Sequence, residues 1–149
     1  MLVEDSLAVR KRLREILEEI EAFHVVGEFD TAQDAILAMG DTPPDVVLLD
    51  IKLRGGNGIE VLRHVHKHDP HSKVIVFSQH DDVGYREQFA QAGALYFFNK
   101  TLDANKLVQG DLNPSMDFRS IYSTILDKWL GMNPAPIVNG TYEKPAFLH

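Results

Sequence analysis

The sequence predicts a doubly wound α/β domain built on a parallel sheet, and three observations carry that prediction. Short β-rich runs alternate with longer helical patterns from residue 1 to about residue 108, as in successive βαβ units. The run Val46-Val47-Leu48-Leu49 is apolar at every position, as expected of a strand covered on both faces. Polar residues close the main runs: Asp50 after Leu49, Ser78 after Phe77, and Lys100 after Asn99. In an open α/β sheet the C-terminal strand edge is where ligands bind.

The elements follow in order. Leu2–Glu4 is a stub of a first strand that runs almost at once into Glu4-Asp5. A buried strand of ordinary length would begin several residues earlier, so this strand reads as truncated. Ser6 is a candidate N-cap for a helix in which Val9, Leu13, Ile16, Leu17 and Ile20 recur at helical spacing. His24–Phe29 reads as the second strand. Thr31 caps a helix carrying Ala32, Ala35, Ile36 and Met39, which stops at Gly40. After the Pro43-Pro44 break, Asp45–Asp50 is the third strand. Gly55-Gly56-Asn57-Gly58 reads as a flexible loop. A helix from about Gly58 to His68 places Ile59, Val61, Leu62 and Val65 on its apolar side. Lys73–Ser78 is the fourth strand, Asp82–Ala92 a helix ending at Gly93, and Ala94–Lys100 the fifth strand.

Beyond that the pattern changes. A short helix is expected at about Asp103–Val108, then turn residues from Gly110 to Pro114. Phe118–Leu130 forms an amphipathic helix with Phe118, Ile121, Tyr122, Ile125, Leu126 and Trp129 on one face. After Gly131 the prolines at 134, 136 and 145 predict an extended tail. The expected division is a domain at 1–108 and an atypical extension at 109–149.

Bulk properties narrow the function. The 149 residues carry 15 basic against 22 acidic groups, a net charge of −7 that disfavours nucleic acid or an anionic membrane as a partner. There is no cysteine, which excludes disulfides, thiolate metal sites and thiol catalysis and fits a reducing cytoplasm. The longest apolar runs are about five residues, too short to span a bilayer, and no secretory signal opens the chain.

Glu4, Asp5, Asp50, Ser78 and Lys100 all fall at strand ends, which would gather carboxylates, a hydroxyl and a lysine at one edge. Such a set suits cation-dependent phosphoryl chemistry. Any one of these residues is also an ordinary cap or turn residue; their order along the chain is what carries the reading.

That order resembles the receiver domain of bacterial two-component response regulators. The matching pieces are Leu2-Val3-Glu4-Asp5-Ser6, Val46 to Leu53, Gly58-Ile59-Glu60-Val61-Leu62, Ser78, and Phe97-Phe98-Asn99-Lys100. The resemblance implies a flavodoxin-like five-stranded parallel sheet of order 2-1-3-4-5. It implies Asp50 as phosphoacceptor, and Mg²⁺ held by Asp5, Asp50 and the Lys52 main-chain carbonyl, with Glu4 on a metal-bound water. Lys100 would pair with a phosphoryl oxygen and Ser78 would hydrogen-bond another. Phe97 stands where the family has an aromatic that changes rotamer with the Ser78 loop. A sensor histidine kinase is the implied donor, and the protein would not be an enzyme beyond slow loss of its own phosphate.

Output would pass to a downstream protein target or to an output domain since lost, with a homodimer also open and no direct contact with nucleic acid. Two other readings stand beside this one: a phosphorylation-silent scaffold of the same fold, and a small α/β phosphatase. The phosphatase is disfavoured because Lys52, not a second Asp, follows Asp50 at an offset of two. The sequence departs from the family at Arg54 and Thr101, where proline is common. His64 and His68 lie one helical turn apart, a spacing that can hold a metal; a solvated helix end is the plainer explanation. Asp117–Tyr122 and Leu126–Gly131 resemble the C-terminus of an uncharacterised bacterial family allied to sulfatases and alkaline phosphatases, which suggests a chimera without implying that activity.

Overall fold

A computed structural model describes residues 1–18, 23–40, 42–80 and 83–99. Five parallel strands form one sheet: β1 (Leu2–Val3), β2 (Glu28–Phe29), β3 (Val46–Leu49), then β6 (Lys73–Ser78) and β7 (Tyr96–Asn99). Between β3 and β6 lies a small antiparallel hairpin of β4 (Lys52–Leu53) and β5 (Gly56–Asn57). The sheet order is β2-β1-β3-β6-β7, which is 2-1-3-4-5 when only the five sheet strands are counted. Four helices connect them among the described residues: α1 (Leu7–Glu18), α2 (Ala32–Met39), α3 (Ile59–His68) and α4 (Val83–Gln91). This is the expected doubly wound fold.

Register decides which side chains share a face. Val3, Leu49, Val76 and Phe97 are successive partners across β1, β3, β6 and β7, so their side chains share one side of the sheet. Val3, Leu49 and Val76 are fully buried there, in a core with Ala35 and Met39 of α2 and Val61, Leu62 and Val65 of α3. The opposite row, Leu2, Leu48 and Ile75, faces the other layer, where Leu13 and Leu17 of α1 are buried. Short as it is, β1 is an interior strand, paired with β2 on one side and β3 on the other. The Leu48 amide donates to the Met1 carbonyl at 3.0 Å, and the Leu2 amide donates to the Gly27 carbonyl at 2.9 Å.

The local signals account for most boundaries. The Thr31 hydroxyl accepts from the Asp34 amide at 3.1 Å and caps α2 as expected. Ser6 opens α1, its hydroxyl accepting from the Val9 amide at 3.5 Å. Two expectations need correction. The second strand is Glu28–Phe29 rather than His24–Phe29, because its partner among the described residues is the equally short β1. The 55–58 loop is not wholly irregular: Gly56-Asn57 pairs with Lys52-Leu53 around a turn in which Gly55 has φ +76°. A two-residue strand is too short to show period-two alternation. Ile20, Lys100, Thr101, the 103–108 helix, the Phe118–Leu130 helix and the tail lie outside the described residues.

Candidate functional site

The site grows from the C-terminal ends of β1 and β3. The Asp50 amide donates to the Val3 carbonyl at 2.8 Å, and the Glu4 amide donates to the Phe29 carbonyl at 2.8 Å. These ladder bonds carry both acidic residues just past the strands and set them side by side. Glu4 is 2% exposed and Asp50 6%, while Asp5 is open to solvent. One carboxylate oxygen from each of Glu4, Asp5 and Asp50 lies within 4.8 Å of the others. Carboxylates brought that close repel one another, which favours a bound cation.

Backbone groups fix two of the three. A Glu4 carboxylate oxygen accepts from the Ser6 amide at 3.1 Å, and the Arg10 guanidinium donates to the Glu4 carbonyl. An Asp50 carboxylate oxygen accepts from the Ile51 amide at 2.7 Å. Behind Asp50, the Gly58 amide donates to the Ile51 carbonyl at 2.7 Å. Just before the Gly58 N-cap of α3, the Asn57 side-chain oxygen accepts from the Ile59 amide at 3.0 Å. Lys52 sits on β4 opposite Asn57 with its side chain exposed. A hard divalent cation such as Mg²⁺ takes oxygen ligands, usually one or two carboxylates together with water. A half-open, all-carboxylate group suits that preference.

Ser78 ends β6, one strand over from β3 on the same edge, and is fully buried. Its hydroxyl accepts from the His80 amide at 3.3 Å. Phe97, on β7 beside Val76, is half-buried. Phe89 meets its ring edge-on, with centroids 6.5 Å apart and planes at 86°, and the Arg86 guanidinium lies 4.8 Å from its centroid. Lys100 lies outside the described residues, immediately after Asn99 at the end of β7. The structure thus brings Glu4, Asp5 and Asp50 together, and sheet order places Ser78 at the same edge.

Sequence reasoning missed the Arg10 tether, the Gly58 contact behind Asp50 and the Arg86–Phe97 stack. The first is an arginine six residues from Glu4, a spacing that belongs to no motif. His64 and His68 do stack, with ring centroids 4.6 Å apart, but no third metal-ligating side chain joins them among the described residues.

Residues 1–110 match the response regulator receiver domain family. Among curated proteins, the chain is 31% identical over 109 residues to the response regulator GacA of Pseudomonas aeruginosa, covering 73% of this chain and 51% of that protein. It is 31% identical over 123 residues to the response regulator UvrY of Escherichia coli, covering 83% of this chain and 53% of that protein. The chain therefore spans about half the length of the curated relatives it matches. Among solved structures, it is similar to a LuxR-family two-component response regulator from Aurantimonas (26% identity, TM-score 0.69, 93% of each chain). It is also similar to the receiver domain of the response regulator NarL from Mycobacterium tuberculosis (28% identity, TM-score 0.64, 73% of this chain and 88% of that one). The sulfatase-like resemblance of the C-terminal segment finds no support in these matches. With this sheet order and this acidic edge, the chain belongs to the response regulator receiver family, the phosphoacceptor domains of two-component signalling.

Proposed function

We propose that Asp50 is the residue that accepts the phosphoryl group. The observation that carries this is the placement of its carboxylate, 6% exposed at the end of β3 and within 4.8 Å of Glu4 and Asp5. An Asp50 carboxylate oxygen attacks phosphorus, the bond from phosphorus to the donor breaks, and an acyl phosphate forms. In the cell the donor is a phosphohistidine of a sensor kinase, whose imidazole leaves. Asp5, Asp50 and the Lys52 main-chain carbonyl would hold Mg²⁺, with Glu4 on one of its waters. Bound there, the ion supplies positive charge against the repulsion between an anionic nucleophile and an anionic phosphoryl group.

The Ile51 amide orients Asp50 by holding one of its oxygens. Ser78 would turn its hydroxyl to a phosphoryl oxygen and Lys100 would place a point charge on another. A phosphoryl group adds about −1.5 to −2 charge at neutral pH, enough to reorder the Ser78 loop and change the Phe97 rotamer. The domain is then a switch rather than an enzyme, losing its phosphate slowly to water.

In this reading residues 1–108 form the switch and 109–149 an extension. The domain works in the cytoplasm and passes its state to a protein partner, an output domain or a second copy.

Intact mass after incubation with acetyl phosphate and Mg²⁺ tests the reading. The expected result is a gain of one phosphoryl group that is lost in Asp50→Ala and with a chelator. No gain in a protein shown to be folded would leave a phosphorylation-silent scaffold.

A further inference from the structure

Two side chains of α4 grip Phe97, and they do so differently. Phe89 is fully buried and meets the ring edge-on. Arg86, one turn earlier on the same helix, sets its guanidinium 4.8 Å from the ring centroid while the Arg86 side chain itself is exposed. A buried edge contact anchors the ring, and a cation over its electron-rich face favours one orientation. The half-buried Phe97 therefore has an apolar neighbour that would tolerate several rotamers and a charged one that selects among them.

The placement of this stack gives it consequence. Phe97 is the register partner of Val76, and Ser78 lies two residues further along the same strand. Arg86 stands on α4, the next helix after Ser78 in the chain, so the stack joins Phe97 to the element that follows the β6 edge.

We propose that Arg86 is a positioning residue whose charge holds Phe97 in the rotamer seen here and opposes the switch to the phosphorylated form. The second half of this proposal rests on the phosphoacceptor reading of Asp50; the first half does not.

The full 149-residue chain serves for the test. Side-chain NMR of Phe97 in phosphate-free buffer reads its χ1 populations in the unaltered protein, in Arg86→Met, which keeps the bulk without the charge, and in Arg86→Lys, which keeps a cation. The expected result is one dominant rotamer in the unaltered protein, averaging in Arg86→Met, and at least partial restoration in Arg86→Lys. Intact-mass kinetics with acetyl phosphate and Mg²⁺ should then show phosphorylation about threefold to tenfold faster in Arg86→Met, the change expected for losing one such contact. Unchanged Phe97 rotamers in Arg86→Met, or equal loss in Arg86→Lys, would overturn the proposal. Averaged rotamers with an unchanged rate would overturn its switching half. If the unaltered protein takes up no phosphoryl group, the phosphoacceptor reading fails, and the rotamer measurement still decides whether Arg86 positions Phe97.

Discussion

Gly58 approaches the Asp50 carbonyl so closely that a β-carbon at position 58 would lie 2.1 Å from that oxygen and 3.2 Å from the Leu49 side chain. The first distance is far inside van der Waals contact, and the atom met is main chain, which cannot swing aside. Glycine here is a matter of space rather than of backbone angle, since its φ of −57° is open to any residue. The turn into α3 is thus pressed against the back of the acidic edge.

Gly58→Ala should therefore move Asp50 itself. The expected cost is on the order of 2 kcal/mol, typical of overpacking a filled site, read as a lower midpoint in urea denaturation. Phosphorylation by acetyl phosphate should fall more steeply than stability does, because the displaced atom belongs to the backbone of Asp50, the proposed phosphoacceptor. A variant as stable and as active as the parent would mean that the β3–α3 turn yields freely.

The carboxylate cluster makes an opposite pair of predictions for Asp5→Asn. Without a divalent cation, removing one of three charges held within 4.8 Å should raise stability by roughly 1 kcal/mol. With Mg²⁺ the order should reverse, since the ion stabilises the folded form according to how tightly it binds. Melting temperature against Mg²⁺ concentration reads both arms. It should climb in the parent and stay nearly flat in Asp5→Asn. A variant that climbs in parallel with its parent would remove Asp5 from the cation site.

Arg54 makes a test of how far the family pattern transfers. Proline is common at this position in receivers, yet here the Arg54 amide donates to the Asp30 carbonyl at 3.0 Å. The guanidinium also pairs with the Asp30 carboxylate at 2.9 Å, but it is largely exposed, and such surface pairs contribute little. Arg54→Ala should stay within about 0.5 kcal/mol of the parent. Arg54→Pro, which deletes the amide donor, should cost about 1–2 kcal/mol. Chemical denaturation of the two variants side by side would show it, and equal stabilities would mean that the main-chain bond is dispensable.

The residues that could be read in advance are those whose neighbours repeat. Val46 to Leu49 is apolar at each step, so strand β3 and the Asp50 at its end were visible without a structure. Glu4, Asp5 and Ser78 were legible for the same reason, each standing where an apolar run stops. What escaped notice lies at right angles to the chain. The Gly58–Asp50 contact and the Arg86–Phe97 stack each join residues of different elements, so no periodicity within one element brings them together. The β4–β5 hairpin escaped because each of its strands is two residues long. The edge strand β2 was overread because Val25 and Val26 extend an apolar run that pairing does not; Val26 is 68% exposed.

Helix α4 is held to the sheet differently from its neighbour. Helix α3 fully buries Ile59, Val61, Leu62 and Val65, while α4 fully buries Phe89 and packs Tyr85, partly buried, against the core. A helix with one fully buried side chain among the described residues opens locally at lower free energy than one with four, because opening exposes less apolar surface. Amide hydrogen exchange should therefore be faster in α4 than in α3 in the parent protein. Phe89→Ala should cost about 3–5 kcal/mol if the whole domain responds as one unit. If α4 instead lets go by itself, the global loss will be smaller and the protection of α4 amides will vanish while that of α3 persists. The second outcome is the one expected here. Phe89 also meets the ring of Phe97, so releasing α4 would free that ring at the same moment. Equal loss of protection in both helices would show that α4 is no separate unit.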